Sequence, residues 1–370
     1  MVFRLGELFC GPGGIALGAH TAGPVYNQFG EEFRIVHGWA TDYDRDTCDT
    51  YMKNIPDSSA DSVFCEDVRK LDLSKLTNID ALAFGFPCND FSNVGEQKGI
   101  NGTFGPLYKY GVEVLRKLQP MWFLAENVGG LKNSNEGNAF KNILEELQNV
   151  GYTITPHLYK FEDYEVPQAR HRIIIIGIRN DLGMKFQVPV LRTHRVISSQ
   201  EAIEIPPIPL DCPNHEFTNH SNTVIERLKH IKPGENAFNA NLPKLLQLNV
   251  KGAKISQIYK RLNPNLPAYT LTGSGGGGTH MYHWDENRAL TNRERARIQT
   301  FPDEFIFKGK LGSVRKQIGM AVPVRGVKHI IKEVLNSFAG LQNTDYDYIT
   351  PNIRFDDIMA IMNVARELDE

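Results

Sequence analysis

The 370-residue chain has only five cysteines, Cys10, Cys48, Cys65, Cys88 and Cys212, odd in number and widely scattered. None stands at the close spacing of a zinc or redox pair, so no disulfide framework is expected and a reducing compartment is. Long hydrophobic runs are also missing. The densest, Ile173–Ile178, falls far short of the about 20 residues that a bilayer-spanning helix takes. The start, Met1-Val2-Phe3-Arg4, lacks the charged-then-apolar build of a secretory leader. These absences lead us to expect an intracellular, cytoplasmic protein with no membrane partner. No internal repeat is visible. What is present is core material: 41% of residues are hydrophobic and 23% charged. At about 150 residues per domain, this length gives two domains, or one large domain interrupted by a smaller insert.

An overall excess of one charge is lacking as well, since the formal net charge is −2. That balance conceals a polarised chain. Residues 1–184 carry 17 Lys and Arg against 24 Asp and Glu, net −7; residues 185–340 carry 22 against 12, net +10; residues 341–370 carry 2 against 7, net −5. A basic stretch between acidic ones predicts one surface turned towards a polyanion, beside the plainer reading of charge drifting along the chain.

The first half alternates short apolar runs with amphipathic stretches, the pattern of a parallel sheet flanked by helices. Strands are expected at Arg4–Phe9, Ile35–Ala40, Ser62–Cys65, Ala81–Gly85, Met121–Ala125, Tyr152–Tyr159 and Arg172–Ile178. Phe140, Ile143, Leu144 and Leu147 share a helical face, and Gly151 closes that helix. From about Met184 to His283 prolines accumulate and periodicity fades, which predicts a loop-rich second domain. Regular structure resumes at Thr291, where Thr291 to Glu294 matches a capping box opening a helix through Ile298. After Pro323, residues Val327, Ile330, Ile331, Val334, Leu335 and Phe338 form one apolar helix face. The acidic tail after Gly340 is expected to add a short helix around Ile358–Leu368.

Candidate chemistry gathers where strands end. Phe9-Cys10-Gly11-Pro12-Gly13-Gly14 follows the first strand, and its glycines permit a tight turn and close approach to a nucleoside-type ligand. Asp42 lies past the second strand, where it can accept from ribose hydroxyls, and Tyr43 beside it offers a ring for stacking. Asp67, followed by Val68, lies past the third, placed to accept from an exocyclic amine. Cys88 follows the fourth and Glu126 the fifth. Ligands of open parallel sheets bind at these carboxyl ends. Pro87 restricts the backbone before Cys88, and the polar Asn89-Asp90-Phe91-Ser92 favours an accessible, nucleophilic thiol over inert packing. Alternation across Gln168-Ala169-Arg170-His171-Arg172 puts Arg170 and Arg172 on one face, two cations for the same site or else a solvated strand edge.

In their order, Phe9–Gly14, Pro87–Ser92, Glu126-Asn127-Val128 and Gln168–Arg172 resemble the motifs of the DNA (cytosine-5)-methyltransferases. Arg293–Asp303 and Gln317–Pro323 look like the two late motifs of that family, so the resemblance covers residues 3 to about 338. It implies an α/β fold: the Rossmann-like, mostly parallel sheet of S-adenosylmethionine-dependent methyltransferases, flanked by helices, with an inserted small, loop-rich target-recognition domain. Residues 1–184 and 276–340 would form the catalytic domain, 185–275 the recognition domain and 341–370 an acidic tail.

The resemblance further implies a cofactor site for S-adenosylmethionine, released as S-adenosylhomocysteine, at Phe9, Gly11, Gly13, Gly14, Asp42, Tyr43, Asp67, Val68, Pro87 and Ala321. Catalysis would fall to Cys88, Glu126, Arg170 and Arg172. The substrate would be a flipped-out cytosine in double-stranded DNA, with Cys88 adding to carbon 6 and Glu126 hydrogen-bonding ring nitrogen 3. A prokaryotic or viral restriction-modification enzyme is implied, a monomer whose DNA site a cognate endonuclease would share, with no direct contact between the two implied. Glu7, Asn89 and Met320 depart from the family's usual Asp, Gln and Asn.

Thr270-Leu271 resembles a pair common in the recognition domain; Lys251, Lys254, Lys260 and Arg261 suit phosphate contacts or else a solvated face, and the Gly275–Gly278 run suits either approach to phosphate or a hinge back to the large domain. Cys212, His215 and His220 lack a fourth ligand at zinc spacing, and His280 and His283 read as structural or DNA-facing, so no metal is expected. Rival readings are an RNA cytosine methyltransferase on the same fold, a DNA-binding relative without catalysis, and a nicotinamide-dependent oxidoreductase. The last leaves Cys88, Glu126 and the arginine pair unexplained.

Overall fold

The structure, a computed structural model, describes residues 1–85, 107–128, 134–193, 195–249, 256–273 and 279–349. The Pro87–Ser92 motif with Pro87 and Cys88, Lys251, Lys254, the Gly275–Gly278 run and the helix expected around Ile358–Leu368 lie outside the described residues.

The chain opens with β1 (Val2–Leu8), α1 (Gly14–Ala22), β2 (Val25–Tyr26), β3 (Glu32–Asp42), α2 (Arg45–Asn54), β4 (Val63–Cys65) and β5 (Ala81–Gly85). There follow α3 (Leu107–Leu118), β6 (Trp122–Val128), α4 (Ser134–Asn149), β7 (Tyr152–Lys160), β8 (Gln168–Ala169) and β9 (His171–Arg179). Every strand expected in this half is present, with ends shifted by at most three residues. The main sheet runs β2-β3-β1-β5-β6-β9-β7, with β4 also paired to β3.

Strands β1, β3, β4, β5 and β6 are mutually parallel where they pair. Strand β9 is antiparallel to both β6 and β7. The connections explain this. Helix α4 gives β7 the long crossover that a parallel course needs, whereas the short 161–170 link turns the chain back on itself.

Buried on both faces, the central strands read as continuous apolar runs and divide their side chains between two cores. Ala81, Ala83, Trp122, Leu124, Ile174 and Ile176 face the core shared with α1; Leu82, Phe84, Phe123, Ala125, Ile173 and Ile175 face the one shared with α3 and α4. Each large apolar side chain buried this way contributes roughly 1.5–3 kcal/mol.

The second half holds β10 (Val188–Leu191), α5 (Ser199–Glu204), α6 (Asn222–Leu228), β11 (Ala268–Tyr269), α7 (Asn292–Ile298), α8 (Leu311–Met320), α9 (Val324–Ala339) and β12 (Tyr346–Ile349). Regular structure is sparse between β10 and α7, and two small apolar cores, around Leu262 and Met281 and around Leu228 and Tyr282, hold that stretch. The capping box of α7 forms as expected: the Thr291 hydroxyl accepts from Glu294 N at 3.2 Å, and the Glu294 carboxylate accepts from Thr291 N at 2.7 Å. Helix α9 lays Val327, Ile330, Ile331, Val334 and Leu335 into the first core and stops at Gly340, φ 68°.

Strand β12 was not foreseen. It pairs antiparallel with β10 and buries Tyr346, while Phe186 just before β10 and Val188 at its start pack in the core of β1 and α9. Among the described residues no helix is long and apolar enough to cross a membrane.

Candidate active site

Because β1, β3, β4, β5 and β6 run parallel, their carboxyl ends share one edge of the sheet. The antiparallel β9 brings its first residues, His171 and Arg172, to that same edge.

After β1 the backbone turns through positive φ at Phe9 (56°), Gly11 (56°) and Gly13 (99°). A Cβ on Gly14 would stand 2.5 Å from Val322 O, so α1 meets the start of α9 this closely only without a side chain there. Gly11 N donates to Asp42 Oδ2 at 3.1 Å, and Asp44 N donates to Asp42 Oδ1 at 3.0 Å. The Asp42 carboxylate is thus fixed against the glycine turn despite the long link between α1 and β3, and burial raises its pKa. Tyr43 is 66% exposed. Lys316 Nζ lies 3.3 Å from its hydroxyl and 5.4 Å from its ring centroid.

Glu66 N donates to Asp42 O at 3.0 Å, which holds the end of β4 beside β3. Asp67 accepts from Arg69 Nε at 2.9 and 3.0 Å, and these bonds keep its carboxyl down at about 2. Val68 is buried, as is Ala321 at the end of α8. The fixed Asp42 carboxylate and the open Tyr43 ring fit a nucleoside, whose ribose needs acceptors and whose base needs a flat face.

Glu126 pairs in register with Gly85 and with Ile174. Its Oε2 lies 3.4 Å from where a Cβ on Gly85 would stand. Arg172 Nε is 3.2 Å from Glu126 Oε1, with the side chains 7% and 13% exposed. So little solvent strengthens the attraction and makes loss of either partner costly. Arg172 Nη1 also donates to His171 O at 2.6 Å, which fixes the guanidinium.

The structure corrects the expected alternation from Gln168 to Arg172. Gln168 N donates to Val166 O and Arg170 N to Gln168 O, at 2.7 and 2.9 Å, so two tight turns interrupt the strand. Arg172 meets Glu126, whereas Arg170 Nη1 donates to Leu271 O at 2.9 Å. Arg261, expected on phosphate, is buried and donates to the carbonyls of Leu228, His283 and Glu286. Cys212, His215 and His220 are engaged separately, by Asp303 O, Thr291 Oγ1 and Ala289 N. His283 Nδ1 caps the backbone N–H groups of Asp285 and Glu286.

Sequence reasoning missed three features. Lys316 stands beside Tyr43, signalled only by its place three residues before Gly319. Glu7, noted as a departure, is 1% exposed; burial pushes its carboxyl up to about 8, although the Tyr51 hydroxyl donates to it at 2.7 Å. A chain of buried amides also crosses the molecule. Gln299 Nε2 donates to Ile318 O and Ala321 O, Gln168 Nε2 to Gln299 Oε1, and Leu271 N to Gln168 Oε1. Buried polar chains hold only when every member is paired, so this one fixes Leu271 relative to Ala321.

Comparison with known proteins agrees in family and fold. The profile of the C-5 cytosine-specific DNA methylases matches residues 3–336. The Type II methyltransferase M.BbvI of Brevibacillus brevis is 54% identical over 94% of this chain and 96% of its own length. M.NgoFVII of Neisseria gonorrhoeae is 37% identical over 90% and 86%. Among solved structures, a putative DNA modification methyltransferase from a prophage in E. coli superposes with a TM-score of 0.70 at 23% identity, covering 90% of this chain and 99% of that one.

Proposed function

The chain belongs to the C-5 cytosine-specific DNA methylase family, and we propose that it methylates carbon 5 of a cytosine flipped out of a specific double-stranded DNA site, as the modification enzyme of a restriction-modification system. The observation that carries this reading is the enclosed Glu126–Arg172 pair on the sheet edge, opposite Gly85, which precedes Cys88 by three residues in the chain.

Carbon 5 of cytosine is too weakly nucleophilic to take a methyl group unaided. The Cys88 thiolate attacks carbon 6, forming a carbon–sulfur bond and an enamine that is nucleophilic at carbon 5. Glu126 hydrogen-bonds ring nitrogen 3 and supplies its proton, which draws charge out of the ring as sulfur adds. Arg172 orients Glu126 and offsets negative charge on the ring. Arg170 holds Leu271, and with it the end of the recognition segment, against the catalytic edge.

Phe9, Gly11, Gly13, Gly14, Asp42, Tyr43, Asp67, Val68, Pro87 and Ala321 would hold S-adenosylmethionine. When bound, it supplies an electrophilic methyl group. Loss of the proton from carbon 5 to a base then expels the Cys88 thiolate. The double-stranded substrate requires flipping, because the target atom is enclosed in the stack.

Two variants test the assignment. Cys88→Ala loses methyl transfer from labelled S-adenosylmethionine while still binding DNA. Glu126→Gln loses about 10²–10⁴-fold in rate, the usual share of a positioned proton donor. Full activity in Cys88→Ala would overturn the mechanism.

A further inference from the structure

We infer that Lys316 is a positioning residue for the cofactor: from α8 it holds the ring of Tyr43 in place as the face on which the adenine of S-adenosylmethionine stacks. The inference rests on the DNA-methylating reading above and deepens its cofactor site.

Tyr43 stands between two fixed residues. Before it, the Asp42 carboxylate accepts from Gly11 N and Asp44 N, and the Asp42 carbonyl accepts from Glu66 N. After it, Asp44 caps α2, its Oδ1 accepting from Thr47 N and Thr47 Oγ1 at 3.1 Å each. The backbone at Tyr43 is therefore set, and the side chain alone stays free to turn between rotamers. At 66% exposure the ring meets little packing that would hold it. A ring that wanders loses its freedom when a base stacks on it, and affinity falls accordingly.

Lys316 supplies the missing hold. Its Nζ lies 3.3 Å from the Tyr43 hydroxyl, 3.5 Å from Asp44 Oδ2 and 5.4 Å from the centroid of the Tyr43 ring. One ammonium thus bridges the ring and the helix cap. The base of the side chain is anchored too. The neighbouring Gln317 is buried, accepts from Thr50 Oγ1 of α2 at 2.7 Å and donates to Lys308 O at 2.8 Å. Lys308 N in turn donates to Thr50 Oγ1 at 2.8 Å. Val314 and Ile318 of α8 pack in one core with Cys48 and Tyr51 of α2. Helix α8 is locked to the helix that Tyr43 precedes, so Lys316 reaches the ring from a fixed place.

The contact does little for the fold itself. Lys316 and Asp44 expose 42% and 26% of their side chains, and ion pairs this open to solvent contribute little to stability. The Tyr43 hydroxyl first, then Asp44, raise the Lys316 pKa, so the ammonium persists at neutral pH. Adenine gains directly from a ring already set in place, because a base stacks on an aromatic side chain only with the two planes in contact. Cofactor and product carry the same base, so both gain alike.

The test measures binding of S-adenosylmethionine, S-adenosylhomocysteine and adenosine to the full chain by calorimetry. Lys316→Met keeps the length of the side chain without its charge. It should bind all three about three- to tenfold more weakly, the net worth of one hydrogen bond. At saturating cofactor kcat should be unchanged, so that only KM for the cofactor rises. Lys316→Arg should recover part of the affinity. In a Tyr43→Ala background, itself weaker, Lys316→Met should cost nothing more. Unchanged affinities in Lys316→Met, or an equal loss in the Tyr43→Ala background, would overturn the assignment. A kcat lowered at saturating cofactor would mark a structural role and overturn it too. So would a loss confined to S-adenosylmethionine and S-adenosylhomocysteine with adenosine unaffected, because Lys316 would then touch the amino-acid end. If the unsubstituted protein bound none of the three, the functional reading itself would fail, and this assignment with it.

Discussion

A carboxyl group donates a proton usefully only where its neighbours orient it and limit water, and Glu126 has both from Arg172 and the strand edge. Residues such as Glu126 and Asp42 were legible in the sequence because each sits just past an apolar run. Glu7 and Lys316 were not, since their partners come from distant segments. Glu7 makes a prediction of its own. Its folded pKa of about 8 lies above the ordinary 4.5, so the folded protein binds the extra proton and stability falls as pH rises from about 4.5 through 8. The slope from this group is about 1.4 kcal/mol per pH unit. Glu333, which burial raises to about 7, adds a slope of the same sign. Thermal melts of Glu7→Gln should therefore fall less steeply over pH 5 to 8 than those of the unsubstituted protein, and be higher at pH 8. Parallel curves would contradict the assignment.

Among the elements, β9 decides whether the site exists. A parallel β9 would carry Arg172 to the opposite edge from Glu126; the antiparallel course is what brings them together. The apolar run Ile173–Ile178 announced the strand but not its direction, which depends on the turns between Val166 and Arg170. Helix α7 shows the reverse case, in which local chemistry was fully readable: its capping box stands as expected. Thr291→Ala should lower stability by about 1 kcal/mol in denaturant unfolding, with little change in methyl transfer per folded molecule. Strand β12 escaped notice because an acidic, polar stretch hides a strand anchored mainly by Tyr346, and its partner β10 lies far earlier in the chain.

Across the whole molecule, the net charge of −2 gives way to an acidic first half and a basic stretch from residue 185 to 340. Part of that basic charge is structural. Arg261 and Arg293 are buried on backbone carbonyls, and Arg297 pairs with Asp303. Summed charge thus overstates the surface available to DNA. The amide chain from Ala321 through Gln299 and Gln168 to Leu271 ties the end of α8 to the loop-rich stretch before α7. The central claim is that this assembled edge presents cytosine to Cys88. It is tested most directly with DNA containing 5-fluorocytosine at the target position, incubated with enzyme and S-adenosylmethionine. The fluorine cannot leave as a cation, so the intermediate should persist, and peptide mapping should find DNA attached at Cys88. Attachment at another residue, or none under conditions where ordinary cytosine is methylated, would contradict the account.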